Sequence, residues 1–122
     1  MCAANEGIFS GEEIGMIYTW IRIEEFLADD LPEHQMREVM VGEKLIGLVK
    51  KGGSIYAFAA RCPHQSAKLC EGWIDAQGRI VCPLHSYRFD PVNGRNISGE
   101  GYKLKTYPLE IRDGYIYVGL IV

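Results

Sequence analysis

Two short stretches constrain this chain more than anything else in it. Cys62-Pro63-His64 is followed, after 17 intervening residues, by Cys82-Pro83-Leu84-His85. The pattern is C-x-H, x17, C-x-x-H. Two thiolates and two imidazoles on paired loops can build a closed tetrahedral zinc site, a mononuclear transition-metal site, or a [2Fe–2S] cluster with both cysteines on one iron and both histidines on the other. Zinc ligand pairs usually leave about two to four residues between Cys and Cys and about three to five between His and His. Here each stretch supplies one ligand of each kind, and a single residue separates Cys62 from His64. Each loop can then place one ligand on each iron, so that two loops clamp a binuclear core from opposite sides. Proline after each cysteine fixes φ and stiffens the loop. The spacing favours the binuclear cluster over zinc and over unligated core residues.

The rest of the chain bounds what can surround such a site. At 122 residues, 48% of them apolar, it is long enough for one domain with a core of its own. The formal net charge of -3 speaks against a nucleic-acid partner, which needs a basic face, and suits docking on a basic protein surface. No apolar run reaches the ~18 residues of a membrane span, so no membrane partner is expected. Met1-Cys2-Ala3-Ala4-Asn5-Glu6 offers neither a basic n-region nor an apolar h-region, so a secretory signal is not expected. Of the four cysteines, Cys2, Cys62, Cys70 and Cys82, two sit inside the ligand pattern, which leaves disulfides disfavoured and points to a reducing cytoplasm.

Residues 1–15 contain three glycines and few periodic apolar positions and read as a loose arm, with a single domain over 16–122. Ile17 to Ile21 reads as a strand and Ile23 to Leu27 as at most one helical turn. Met36 to Val41 and Lys44 to Val49 read as strands around Gly42-Glu43. Gly52-Gly53 is a hairpin signal, and Ser54 to Ala60 is the strand after it. Lys103 to Thr106 and Leu109 to Arg112 read as short strands, followed by a second hairpin signal at Asp113-Gly114 and a closing strand from Tyr115 to Val122. Many short strands with frequent turn signals predict an all-β antiparallel sandwich or barrel. Residues 61–102, rich in Cys, His, Pro and Gly, read as a site-bearing lobe inserted in that scaffold. Cys70 and the aromatics Trp73 and Tyr87 read as packing residues in or beside it, and His34 as plain surface. Gly72, Gly94, Gly99 and Gly101 read as turn residues.

Arg61-Cys62-Pro63-His64 with Val81-Cys82-Pro83-Leu84-His85 resembles the Rieske signature, and Ser86-Tyr87-Arg88-Phe89-Asp90-Pro91-Val92-Asn93-Gly94 resembles the segment after the second histidine in Rieske ferredoxins. The resemblance covers roughly residues 17–122. It implies a β-sandwich base with a small cluster-binding subdomain, and one [2Fe–2S] cluster ligated by Cys62, His64, Cys82 and His85. Ala67 and Leu84 stand where the respiratory-complex branch has its disulfide cysteines, so that bridge is absent. Tyr87 and Phe89 stand where that branch has Ser and Tyr hydroxyls bonded to sulfur, which implies a low potential. Ser98-Gly99-Glu100-Gly101 matches a third loop over the cluster, without its usual proline.

The resemblance implies an electron carrier and not an enzyme: a soluble ferredoxin, with a flavoprotein reductase and a terminal oxygenase as redox partners. The alternative is the small subunit of an assimilatory nitrite reductase or of another oxidoreductase complex, and a zinc-bound structural module is the third reading. A complete oxygenase is disfavoured. Its catalytic iron needs two further histidines and a carboxylate, and His34 is the one histidine outside the motif.

Overall fold

Apolar residues at every second position decide the architecture. Val39 and Val41, Ile46 and Leu48, Ile55 and Ala57, and Ile116, Val118 and Leu120 are all buried, and each set lines one face of its strand. A computed structural model describes residues 8–10, 17–63, 67–84, 87–99 and 102–121. Its strands are β1 (Ile8–Ser10), β2 (Ile17–Arg22), β3 (Met36–Val41), β4 (Lys44–Lys51), β5 (Ser54–Ala59), β6 (Trp73–Ile74), β7 (Ile80–Val81), β8 (Arg88–Phe89), β9 (Thr106–Tyr107), β10 (Leu109–Arg112) and β11 (Tyr115–Leu120). They form three sheets ordered β1-β2-β11-β10, β3-β4-β5-β9 and β6-β7-β8, and every ladder between them is antiparallel. The all-β antiparallel expectation holds. No helix among the described residues is long and apolar enough to cross a membrane.

The first two sheets face each other across a core of Ile23, Leu31, Val41, Ile46, Leu48, Ile116 and Val118. Burying each such Leu or Ile stabilises the fold by roughly 1.5–3 kcal/mol. The second sheet is buried on its other face as well. Val49 and Phe58 point away from the first core and join Leu69, Ile80, Phe89 and Leu104 in a second one. This explains why β4 reads as the unbroken apolar run Leu45-Ile46-Gly47-Leu48-Val49, since a strand covered on both sides shows no alternation. Phe58 pairs with Gly47 in register, and a Cβ at Gly47 would lie 2.3 Å from the Phe58 ring. The missing side chain is what lets the ring lie across the sheet beneath the lobe.

Turn chemistry fixes the registers. Gly52 and Gly53 both have positive φ, 63° and 84°, as a two-residue hairpin of matching twist requires. The Glu33 carboxylate accepts hydrogen bonds from both of their N–H groups, and these bonds, the Gly52 one foremost, hold its pKa below the usual range. The structure differs from the sequence reading in local detail. Ile8–Ser10, inside the segment read as a loose arm, pairs with β2, while residues 1–7 and 11–16 lie outside the described residues. The helical turn expected over Ile23–Leu27 occurs one step later, as a 3₁₀ turn at Ala28–Asp30, where the Asp30 carboxylate accepts the Leu27 N–H at 3.0 Å. Lys103–Lys105 is not a strand. Its Leu104 N–H is taken by the Gly94 carbonyl at 2.9 Å, and only the Lys105 carbonyl bonds to β5, accepting the Ala59 N–H at 2.9 Å, before the strand proper begins at Thr106.

Candidate metal centre

Both expected ligand loops are closed in the same way. The Cys62 N–H donates to the Ala67 carbonyl at 2.8 Å, and the Cys82 N–H donates to the Tyr87 carbonyl at 2.9 Å. Each bond runs from a cysteine to the residue five positions on, so each loop starts at its cysteine and spans the sequence position of its histidine. The first loop is flanked by an antiparallel bridge between Arg61 and Lys68, the second by the β7–β8 ladder of Ile80 with Phe89 and Val81 with Arg88. His64 and His85 lie outside the described residues.

The structure brings Cys62 and Cys82 into one buried core. They are 2% and 1% exposed, and both pack in the cluster that holds Leu69, Ile80, Phe89 and Leu104. Two thiolates in such apolar surroundings would be costly unless a metal neutralised them. A 3₁₀ turn at Leu69–Glu71 leads from the first loop into β6, and Gly72 follows it. A Cβ at Gly72 would meet the Val81 carbonyl oxygen at 1.9 Å and the Pro83 Cδ at 3.2 Å. Gly72 closes that turn, as the sequence suggested, with its N–H donating to the Leu69 carbonyl at 2.9 Å, and it also serves a close backbone approach beside Cys82. Gly94, with φ of 80°, similarly leaves 1.9 Å between its would-be Cβ and the Leu104 carbonyl oxygen.

Behind the second loop, Asp75 ties the three-stranded sheet together. Its carboxylate accepts from the N–H groups of Gln77 and Arg79, both at 2.9 Å, and from Arg88 Nε at 3.2 Å. Partial burial works to raise its pKa, and the three donors outweigh that and hold it below the usual carboxylate range. Ser98 Oγ accepts the Arg88 N–H at 2.9 Å, which joins the third loop to the second; Glu100 and Gly101 of that loop lie outside the described residues. Asn96 is the one buried polar side chain among the described residues, at 8% exposure. Its Oδ1 accepts the Ser98 N–H at 2.9 Å, while its Nδ2 has no hydrogen-bond partner. A buried amide left so costs about 1–3 kcal/mol. Two buried thiols at the mouths of twin loops, with an unused donor in the same lobe, fit an iron–sulfur group.

Other residues fall as follows. Phe89 is fully buried against the two cysteines' core, and Tyr87 is half-buried with its ring stacked on Tyr102 at 6.5 Å. Trp73, read as packing, is half exposed on β6, a correction that follows from the two-residue length of that strand at the edge of its sheet. His34 is exposed, as read, with φ of 61°. Cys70 is half-buried and is not part of the core that holds the pair, and burial, helped by Glu38, pushes its thiol up to about 11. It stays protonated at neutral pH. It is expected to react with iodoacetamide about tenfold more slowly than an ordinary thiol, since the smaller thiolate fraction is partly offset by a more nucleophilic thiolate. A rate equal to that of an unfolded control, followed by mass spectrometry, would contradict this. Sequence reasoning missed Asn96, Asp75 and the close approach at Gly72, since each depends on what folds against it.

Comparison with known proteins adds four findings. A family model for the Rieske [2Fe–2S] domain matches residues 20–108. The ferredoxin component of the alkene monooxygenase system of Xanthobacter autotrophicus is 34% identical over 91 residues, covering 75% of each chain. The ferredoxin component of the naphthalene 1,2-dioxygenase/salicylate 5-hydroxylase systems of Ralstonia sp is 35% identical over 99 residues, covering 80% of this chain and 92% of that one. Among solved structures, a chain of the complex of reduced oxygenase and oxidised ferredoxin in carbazole 1,9a-dioxygenase superposes with a TM-score of 0.70 at 29% identity, covering 79% of this chain and 99% of that one.

Proposed function

The chain belongs to the Rieske [2Fe–2S] domain family and carries one such cluster, and from that membership we propose that Cys62, His64, Cys82 and His85 hold it. The observation that supports this ligand set is the pair of identically closed loops, each opening on a buried cysteine. The chain is an electron carrier, not a catalyst. When bound, the cluster takes up and returns a single electron.

What the protein contributes is charge, burial and access. Two thiolates and two neutral imidazoles leave two fewer negative charges than four thiolates would, so the site accepts an electron more readily than an all-cysteine site. The thiolates of Cys62 and Cys82 lie on the buried side, and the β7–β8 ladder and the Asp75 carboxylate keep the second loop in place behind them. His64 and His85, as the two neutral ligands, would give the edge through which electrons pass. Phe89, fully buried and without a hydroxyl, offers the sulfurs no hydrogen bond, which keeps the potential near the low end of the Rieske range.

The partners follow from the relatives, which are ferredoxin components of oxygenase systems. The chain takes electrons from a flavoprotein reductase and passes them to a terminal oxygenase, in the cytoplasm. The test begins with the purified protein. It should contain iron and acid-labile sulfide in equal amounts, about two of each per chain, show a rhombic spin-resonance signal on reduction, and titrate at about -150 mV. Stoichiometric zinc without iron after anaerobic preparation would overturn the reading. A potential above about +100 mV would overturn the argument from Phe89 and Tyr87.

A further inference from the structure

We propose that Asn96 is a positioning and tuning residue for the cluster, donating a hydrogen bond from its side-chain amide to one of the cluster's own sulfurs. The inference rests on the family reading and goes beyond it. Three observations carry it. First, Asn96 is buried, and its Nδ2 is without a partner although Oδ1 has one. The orientation of the amide is set by the Ser98 N–H, which needs an acceptor, so the group left over is the donor. Second, Asn96 forms an antiparallel bridge with Phe89. Residues directly opposite in such a bridge send their side chains to the same face. Third, that face is the one on which Phe89 packs in a single core with Cys62 and Cys82.

An unpaired donor thus stands beside the ring that lines the two thiols. The Phe89 ring has no hydroxyl to offer sulfur, and the amide across the bridge has two N–H groups to spare. Cluster and cysteine sulfurs are acceptors that become stronger when the cluster gains an electron, because the added charge falls partly on them. A donor aimed there favours the reduced state more than the oxidised one and raises the potential. The Asn96–Ser98 bond also fixes the start of the third loop, so the same side chain couples the position of that loop to the charge on the cluster.

The test is Asn96→Leu, which keeps side-chain volume and removes the donor. With iron and sulfide unchanged, its ratio of reduced to oxidised cluster at a fixed potential should fall about tenfold, which for one electron is about 59 mV toward the negative. The exchangeable-proton coupling seen in the reduced spin-resonance spectrum, identified by transfer to D2O, should weaken in parallel. A merely structural role would move neither. If Asn96→Leu is recovered without iron, Asn96→Ala, which adds no bulk, is titrated in its place and should shift the same way. An unchanged potential and an unchanged proton coupling in a variant that keeps its cluster would overturn the proposal. Absence of iron from the parent protein would instead overturn the family reading on which it rests, so the two failures are distinguishable.

Discussion

Gly72→Ala is expected to destabilise the protein by roughly 3 kcal/mol and to loosen its hold on iron. The φ of Gly72 is -87°, ordinary for any residue, so backbone freedom is not the reason. The reason is space. An alanine methyl would stand 1.9 Å from the Val81 carbonyl oxygen and 3.1 Å from its carbon. Both atoms are backbone, so no side chain can swing aside, and either the Leu69–Glu71 turn or the β7 strand must move. Val81 is bonded to Cys82, so a shift of β7 displaces the second thiolate. At about 4 °C per kcal/mol for a chain of this size, the melting temperature should fall by about 12 °C. Gly52→Ala is the control. Its φ of 63° is strained for alanine by roughly 1–2 kcal/mol, yet nothing lies within 4 Å of the new methyl, so iron retention should not change. A Gly72→Ala protein that melts like the parent and keeps its iron against a chelator would show that the lobe can absorb the collision.

The fold was legible wherever local chemistry decides it. Gly52-Gly53 and Asp113-Gly114 announce hairpins because both residues of each turn take positive φ, and they do. The strands flanking them are short apolar-rich runs bounded by those turns, and Met36–Val41 has the bounds its pattern implied. Long-range pairing was less visible. Ile8–Ser10 is a strand because β2 lies beside it, and no periodicity over three residues could have shown that. The apolar run of β4 carried the information that two layers cover it, but the second layer is the lobe itself, folded from residues about ten to fifty positions further on.

The site divides along the same line. The four proposed ligands, two cysteines and two histidines, and their spacing stand in the sequence, because the ligand atoms are a matter of residue type. What holds them does not. Gly72 looks like any turn glycine until Val81 comes against it. Asn96 looks like a surface residue between Arg95 and Ile97, and only the bridge to Phe89 turns it inward. Asp75 acts through three donors as far apart in sequence as Gln77 and Arg88. Support of this kind is a property of contacts, and a single sequence records the residues without recording which of them meet.

The separation into two cores makes a last and larger effect predictable. In Cys82→Ala the iron, the sulfide and the visible absorption should fall below about a tenth of the parent's, because a lost thiolate leaves the buried side of the cluster with one protein anchor. The protein should nevertheless stay folded in its base. The core of Ile46, Leu48, Ile116 and Val118 contains neither Cys62 nor Cys82 and is built by the two facing sheets. The lobe is different. Its own strands β6, β7 and β8 have two residues each, and a unit of about forty residues usually needs a metal or a disulfide to hold its shape. No disulfide joins Cys62, Cys70 and Cys82, so the metal is its staple. Hydrogen exchange should then show the amide at position 82 and those of Ile97 and Leu104 losing protection while those of Ile46, Leu48 and Val118 keep theirs, and the far-ultraviolet β signal should change little. Cys70→Ala, which removes the thiol outside the pair, should leave both iron and protection intact. Full iron in Cys82→Ala would remove Cys82 from the ligand set. Loss of protection in both cores together would show that base and lobe fold as one cooperative unit, with the Phe58 ring over Gly47 as the contact that couples them.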